Sequence, residues 1–173
     1  MTVKTISTPS MTVVEMNELV LPQHSNNVGT AFGGVIMSWI DICAAMAAQR
    51  HARKACVTAS MDQLDFIAGI RLGHVVNLKS IVNDVGRTSM EIGVRVEVED
   101  PFTGVRIHAA SAYLTFVAID ADGKPTPVPP LTCETNAERL RQQEAQARRA
   151  QRLKLASERR RLAEAIAAES DDG

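Results

Sequence analysis

Aromatic side chains are scarce in this 173-residue chain, which has four Phe, one Trp and one Tyr. A core with so few rings has to be built from aliphatic side chains, and the 45% apolar share supplies them. Cysteine is scarce too. Cys43, Cys56 and Cys133 are an odd set without redox or metal-ligand spacing, which argues against a disulfide framework and fits a reducing cytoplasm. No run approaches the roughly 18 unbroken apolar residues of a membrane span. The first nine residues lack an apolar signal-peptide core. Neither sign of charge prevails: 19 Lys and Arg against 20 Asp and Glu leave a net charge of −1, a poor match to nucleic acid. His24, His51, His74 and His108 show no ligand pairing, so no metal is expected. The expectation is a cytoplasmic protein with no membrane or nucleic-acid partner.

What is present organises well. Residues 1–10 read as a flexible leader, and residues 11–20 alternate as a strand that Pro22 closes. From Phe32 to Arg53 the chain is Ala, Met, Ile and Trp, with its polar residues late, at Gln49, Arg50, His51 and Arg53. This predicts a central helix that is apolar almost all round over its first four turns. Four strand-like runs follow, at 55–66, 75–85, 89–99 and 107–119. The third alternates strictly, with Met90, Ile92, Val94, Val96 and Val98 set against Glu91, Gly93, Arg95 and Glu97. The predicted architecture is α+β, an antiparallel sheet curled round one helix, within a domain spanning 11–124. A Pro-rich linker (125–133) ends that domain. Residues 134–173 hold Ala, Glu, Gln, Arg and Leu, with nine basic and eight acidic residues. They read as a solvated helix packing on its own body or on a partner chain, its balanced charge leaving little footprint for nucleic acid.

The loop before the central helix carries the chemistry. Residues 26–34 (Asn-Asn-Val-Gly-Thr-Ala-Phe-Gly-Gly) open directly onto 35–41 (Val-Ile-Met-Ser-Trp-Ile-Asp). Free N–H groups at a helix start hold an anion or a developing oxyanion, and glycines there admit a substrate close to the backbone. Asp41, set among Trp39, Ile40, Ile42 and Cys43, needs a task or a partner.

The run 21–34 with Ser38-Trp39-Ile40-Asp41 resembles hot-dog-fold acyl-CoA thioesterases of the cytosolic acyl-CoA hydrolase, YciA-like and brown-fat-inducible group. Residues 56–62 (Cys-Val-Thr-Ala-Ser-Met-Asp) and 86–92 (Gly-Arg-Thr-Ser-Met-Glu-Ile) look like two further blocks of it. The resemblance covers roughly 11–120 and leaves the Ala/Arg-rich tail outside. It implies a hot-dog fold, hydrolysis of fatty acyl-CoA to free fatty acid and CoA, and no cofactor, coenzyme A being part of the substrate. It also implies a homodimer, often a trimer of dimers (hexamer), with active sites across the dimer interface. There the acid of one protomer meets the loop Asn of the other; the matching positions are Asp41 and Asn26.

On this reading Asp41 is the general base, or a nucleophile giving a short-lived anhydride, and its apolar neighbours strip part of its water. Asn26 orients the water or donates to the thioester oxygen, a role compatible with an Asx-turn. Gly34, with Gly33, presents a backbone N–H to the oxyanion. Asn27 is assigned only a place in the turn. Thr58 and Ser60 add hydroxyls near the partner's site, or are ordinary strand residues. Arg87, Thr88 and Ser89 meet the pantetheine or a phosphate, or are a solvated turn. Arg50, Arg53 and Lys54 reach nucleotide phosphates, or serve the helix dipole. Cys43 reads as a buried structural thiol. Two other functions stay open: a hot-dog hydratase or dehydratase, which would pair a His with the helix acid, and a non-catalytic acyl-CoA-binding regulator.

Overall fold

The computed structural model describes residues 8–171. Most of the expected leader, residues 1–7, lies outside that span. Thr8 and Pro9 are buried, and Pro9–Thr12 forms a 3-10 turn against the body. The elements then run β1 (Val14–Leu19), α1 (Gly33–Ala52), β2 (Ala55–Phe66), β3 (Val75–Val85), β4 (Ser89–Glu99), β5 (Arg106–Ile119) and α2 (Asn136–Asp171). The five strands form one antiparallel sheet in the order β1-β3-β4-β5-β2. Sequence order is therefore not sheet order. Because α1 crosses the sheet between β1 and β2, these consecutive strands end on opposite edges.

Helix α1 buries Ile36, Trp39, Ile40, Cys43, Ala44, Ala47, Ala48, His51 and Ala52, a stripe at spacings of three and four. Met90, Ile92, Val94, Val96 and Val98 of β4 and Ala110, Ala112, Leu114, Phe116 and Ala118 of β5 meet it from the sheet. Only that stripe is used. Met37, Ile42 and Met46 remain exposed on α1, although the sequence is apolar there too.

The Pro-rich stretch is fastened to the body. Prolines donate no backbone N–H, but their carbonyls accept. Lys54 Nζ donates to the Pro127 carbonyl at 2.9 Å, and the His51 Nε2–H bonds the Pro129 carbonyl at 2.9 Å. The N–H of Val128 reaches the Arg87 carbonyl at 3.0 Å. Arg50 donates to the Val13 carbonyl, and Arg53 ends α1 in the left-handed conformation. Arg50 and Lys54 thus tie the end of α1 to carbonyls of neighbouring segments.

Helix α2 starts on a capping box, with the Glu138 N–H on Thr135 Oγ1 and the Thr135 N–H on Glu138 Oε2. It then lies across the sheet face opposite α1. Glu91, buried on that face, takes Arg148 at 2.6 Å, while the Arg148 guanidinium sits 3.7 Å from the Tyr113 ring centre. Gln142 and Gln146 donate to Asp84, and Arg152 pairs with Asp62. Leu153, Leu155 and Leu162 further along are exposed.

Removing one member of a buried pair leaves the other uncompensated. Arg148→Ala is therefore expected to cost about 3–5 kcal/mol in urea unfolding. Arg148→Met combined with Glu91→Leu should recover most of it; equal losses in the single and double variants would refute the pairing. The pH dependence has a separate source. Burial holds the His51 imidazole below its ordinary value. Below about pH 6.5 the unfolded chain therefore binds a proton that the native chain refuses. Stability present above that pH is lost as pH falls through the native value, and His51→Gln should flatten this part of the urea-midpoint profile.

Candidate active site

The loop before α1 is built by its own polar groups. The Asn26 Oδ1 accepts the N–H of Val28 at 3.0 Å and of Thr30 at 3.1 Å, while its Nδ2 donates to Thr30 Oγ1 at 2.8 Å. This Asx-turn fixes the carboxamide and leaves its second N–H without a partner among the described residues. Gly29 turns the chain at φ +78°, where a Cβ is disfavoured. The Ala31 N–H bonds the Ile70 carbonyl at 2.7 Å and the Phe32 N–H the His24 carbonyl at 2.8 Å, so the loop is clamped from both sides. Asn27 is exposed.

Gly33 and Gly34 are the first residues of α1, and their N–H groups have no acceptor within the helix. Two rings flank them. A Cβ on Gly34 would lie 2.5 Å from the Phe32 ring, and one on Gly33 would lie 3.8 Å from that of Phe66. Phe66, Ile67 and Ile70 with Thr30, Gly33 and Ile36 line a hollow of about 330 Å³ beside the helix start. Hollows of about 470 and 510 Å³ lie on the sheet face opposite α1, lined by residues of β3 and β4 but not by Asp41. The chemistry follows the carboxylate, not the size of the hollow.

Asp41 is half-buried, two turns into α1, and Thr58 Oγ1 of β2 donates to its Oδ1 at 2.7 Å. Its Oδ2 has no partner among the described residues. Thr58 thus serves the acid of its own chain, whereas the sequence suggested a hydroxyl offered to a partner's site. Ser60 does not join it. Thr58 pairs with buried Phe116, but a bulge at Ala59 pairs Ser60 with Thr115 and turns it to the opposite face. There its hydroxyl meets Asp62 at 2.9 Å, beside Arg152 of α2. One inserted residue separates two hydroxyls that plain alternation would have kept together.

The turn holding Arg87, Thr88 and Ser89 lies at the same sheet end as Thr58, since Val57 pairs with Val117 and Val117 with Ser89. Arg87 is exposed and forms no ion pair among the described residues. The candidate residues therefore fall into two groups. Asn26, Gly33 and Gly34 stand at the start of α1, while Asp41, Thr58 and the 87–89 turn stand further along it. Asp41 lies eight residue steps along α1 from Gly33, about 12 Å at 1.5 Å per residue. His24 does not pair with the acid, as a hydratase would require. Its Nδ1 accepts the Leu21 N–H and its ring meets Trp39 edge-on at 5.1 Å. Cys43 is buried against Ser80. No cluster of potential metal ligands occurs among the described residues.

The sequence profile of the Thioesterase superfamily matches residues 28–104. The uncharacterized acyl-CoA thioester hydrolase YkhA of Bacillus subtilis (strain 168) is 49% identical over 119 residues, 69% of each chain. The chain belongs to the hot-dog acyl-CoA thioesterases. The acetyl-coenzyme A thioesterase of Rattus norvegicus is 34% identical over 81% of this chain, which spans only 25% of that longer protein. Among solved structures, an acyl-CoA hydrolase of Staphylococcus aureus, in complex with butyryl coenzyme A, coenzyme A and coenzyme A disulfide, is 35% identical. It covers 93% of this chain and 98% of its own, with a TM-score of 0.85. Variants of that hydrolase with one Asn, one Asp or one Thr changed to Ala have also been solved. An apo-hexameric acyl-CoA thioesterase is 39% identical over 87% of this chain and 98% of its own, with a TM-score of 0.83.

In this thioesterase neither Phe32 nor Phe66 stood out in the sequence as a neighbour of the site. The signal was there, because rings are rare in the chain and Phe32 directly precedes the paired glycines. The contact is testable by a double-mutant cycle. Gly34→Ala gains helix propensity but must displace the Phe32 ring, so alone it should be near neutral. In a Phe32→Ala background it should stabilise by about 0.5–1 kcal/mol in urea unfolding. Additive effects would show that the ring does not constrain Gly34.

Proposed function

We propose that this thioesterase hydrolyses fatty acyl-CoA to free fatty acid and CoA at sites shared between two chains. The observation that carries the reading is the Asp41–Thr58 pair. It places a carboxylate with one free oxygen about 12 Å along α1 from the amides that would hold an oxyanion. One thioester cannot span that gap, but a two-fold axis can close it. The edge strand β2 has no partner on its outer side among the described residues, and Met37, one turn before Asp41 on the same side of α1, is exposed. Pairing β2 with its copy sets the two α1 helices antiparallel, and an axis near Met37 brings each helix start to the other chain's Asp41.

In each composite site Asp41 Oδ2 takes a proton from a water, whose oxygen attacks the thioester carbonyl. The Thr58 hydroxyl holds Oδ1, so the carboxylate presents its other oxygen. The oxyanion receives the Gly34 N–H, supported by Gly33 at the positive helix end, and the free Nδ2–H of Asn26 from the opposite chain. Collapse breaks the C–S bond, and the proton on Asp41 passes to the departing thiolate. Arg87, Thr88 and Ser89, at the Thr58 end of the sheet, grip the pantetheine and a phosphate of the CoA. Ser60 has no part in this reading, because it faces away. One further support is a spacing: the Asn, Asp and Thr exchanged in the Staphylococcus aureus hydrolase are 15 and 17 residues apart, as are Asn26, Asp41 and Thr58.

The test is acyl-CoA turnover over a range of chain lengths, read with a thiol-reactive dye. Asp41→Ala and Asn26→Ala should each lose about 10²–10³-fold in kcat while remaining folded dimers. Thr58→Val should lose less, with Thr58→Ser restoring it. Mixing the Asp41 and Asn26 variants with subunit exchange should return about a quarter of wild-type activity, since half the dimers then carry one intact site. Wild-type protein inert on every chain length would sink the enzyme reading, and no recovery on proven exchange would sink the shared site.

A further inference from the structure

Of three arginines close together on α2, two are neutralised. Arg148 pairs with Glu91 and Arg152 with Asp62. Arg149 is half-buried and has no acid partner among the described residues. Asp84 does not supply one, since its Oδ1 is taken by the neutral amides of Gln142 and Gln146. The Arg149 guanidinium lies instead over Gly86, where the β3–β4 turn begins. A Cβ on Gly86 would stand 2.7 Å from each terminal nitrogen of Arg149. Gly86 is not among the glycines with positive φ, so close approach and not backbone conformation is what a side chain there would disturb.

The turn itself has its carbonyls tied and its donors free. The Gly86 N–H bonds the Ser89 carbonyl at 2.7 Å, the Arg87 carbonyl accepts the Val128 N–H at 3.0 Å, and the Thr88 carbonyl accepts the Ala118 N–H at 2.9 Å. The N–H groups of Arg87 and Thr88 have no acceptor among the described residues. Two guanidiniums without a counter-charge and two free N–H groups therefore stand at one well-held turn. Such a set of donors suits an anion with several oxygens.

We propose that Arg149 is a binding residue for a phosphate of coenzyme A, acting with Arg87 and the free N–H groups of the turn. A phosphate offers several charged oxygens to these donors, whereas a thioester or an amide of the substrate offers one neutral oxygen. The inference rests on the reading above that the 87–89 turn grips CoA. It adds a residue of α2, which lies outside the sequence blocks that carry the family resemblance. It also gives Gly86 a task, since the bare Cα leaves the guanidinium room beside the turn.

The test is steady-state hydrolysis by the full chain of one fatty acyl group carried on CoA, on dephospho-CoA and on pantetheine. Arg149→Ala should raise KM for the acyl-CoA about tenfold and leave kcat within about twofold, as expected when one charge-assisted contact is lost from ground and transition state alike. KM for the acyl-pantetheine should match that of wild type. Arg149→Lys should recover part of the loss. Gly86→Ala should also raise KM for the acyl-CoA by pushing the guanidinium aside, and should add nothing in an Arg149→Ala background. A penalty that vanishes on the dephospho thioester assigns the ribose phosphate, and one that persists there assigns the diphosphate. An unchanged KM for the acyl-CoA in Arg149→Ala would overturn the proposal, as would an equal rise on acyl-pantetheine. Arg87→Ala separates this inference from the reading beneath it. If Arg87→Ala raises KM and Arg149→Ala does not, the role of Arg149 alone is lost. If wild type has the same KM for acyl-CoA and acyl-pantetheine, the phosphate grip at the turn falls with it.

Discussion

A helix with apolar side chains on two faces and a sheet that covers one of them is the constraint on which the molecule turns. The stripe from Ile36 to Ala52 is matched to the concave face of five strands, and Ala44, Ala47 and Ala48 let α1 approach it closely. Ile42 and Met46, on the far side of α1, and Met37, near its start, have no such cover among the described residues. Asp41 lies at the edge of the buried stripe. It is close enough to β2 for Thr58 to hold one oxygen and open enough to leave the other for water. The fold thereby places a charged group where apolar surroundings are available without enclosing it.

The opposite face of the sheet follows a different logic. There Asp84, Glu91, Asn83 and Thr115 are buried beneath a helix whose contacts are mainly hydrogen bonds and ion pairs. Such pairs add little stability over well-packed apolar groups of the same shape, but they fix one geometry strongly. Arg148 aligns with Glu91 and Tyr113 in only one register of α2, and Glu138 adds a bond from the Ser10 N–H that ties the N-terminal turn to the helix start. The bulges in β2 connect the two faces. By turning Ser60 and Asp62 outward they give α2 an anchor, while Thr58 stays with the acid.

Strand and helix positions were legible because local pattern sets them. The strict alternation of β4 and the Ala, Met and Ile content of α1 leave little choice of period. The thioesterase family was legible from three motif blocks in register. Strand order was not, since which strand takes an edge depends on where α1 crosses. Nor was the fate of the Pro-rich stretch: prolines announce the end of a ladder, but the His51 and Lys54 bonds to their carbonyls are long-range. The Asn26 turn was foreseen as compatible with a role at the site, and the hydrogen-bond count shows the room for both. One amide hydrogen builds the loop and the other is left over. The parting of Thr58 from Ser60 could not be read at all, because a bulge of one residue leaves no mark in composition or alternation.

The separation of the two groups along α1 has a further consequence. Gly33 and Gly34 stand at the helix start and Asp41 in its third turn, so the distance between those amides and the carboxylate is set by helical rise. A single chain, on the proposed reading, keeps either group in place without bringing both to one carbonyl. On the proposed reading, symmetry supplies what flexibility cannot: an axis near Met37 converts a fixed separation within a chain into a contact between chains. Excluding water where the two chains close would strengthen each hydrogen bond to the oxyanion. Assembly and catalysis are then one event, since the group that activates water and the group that receives the charge meet only where two copies of one surface close on each other.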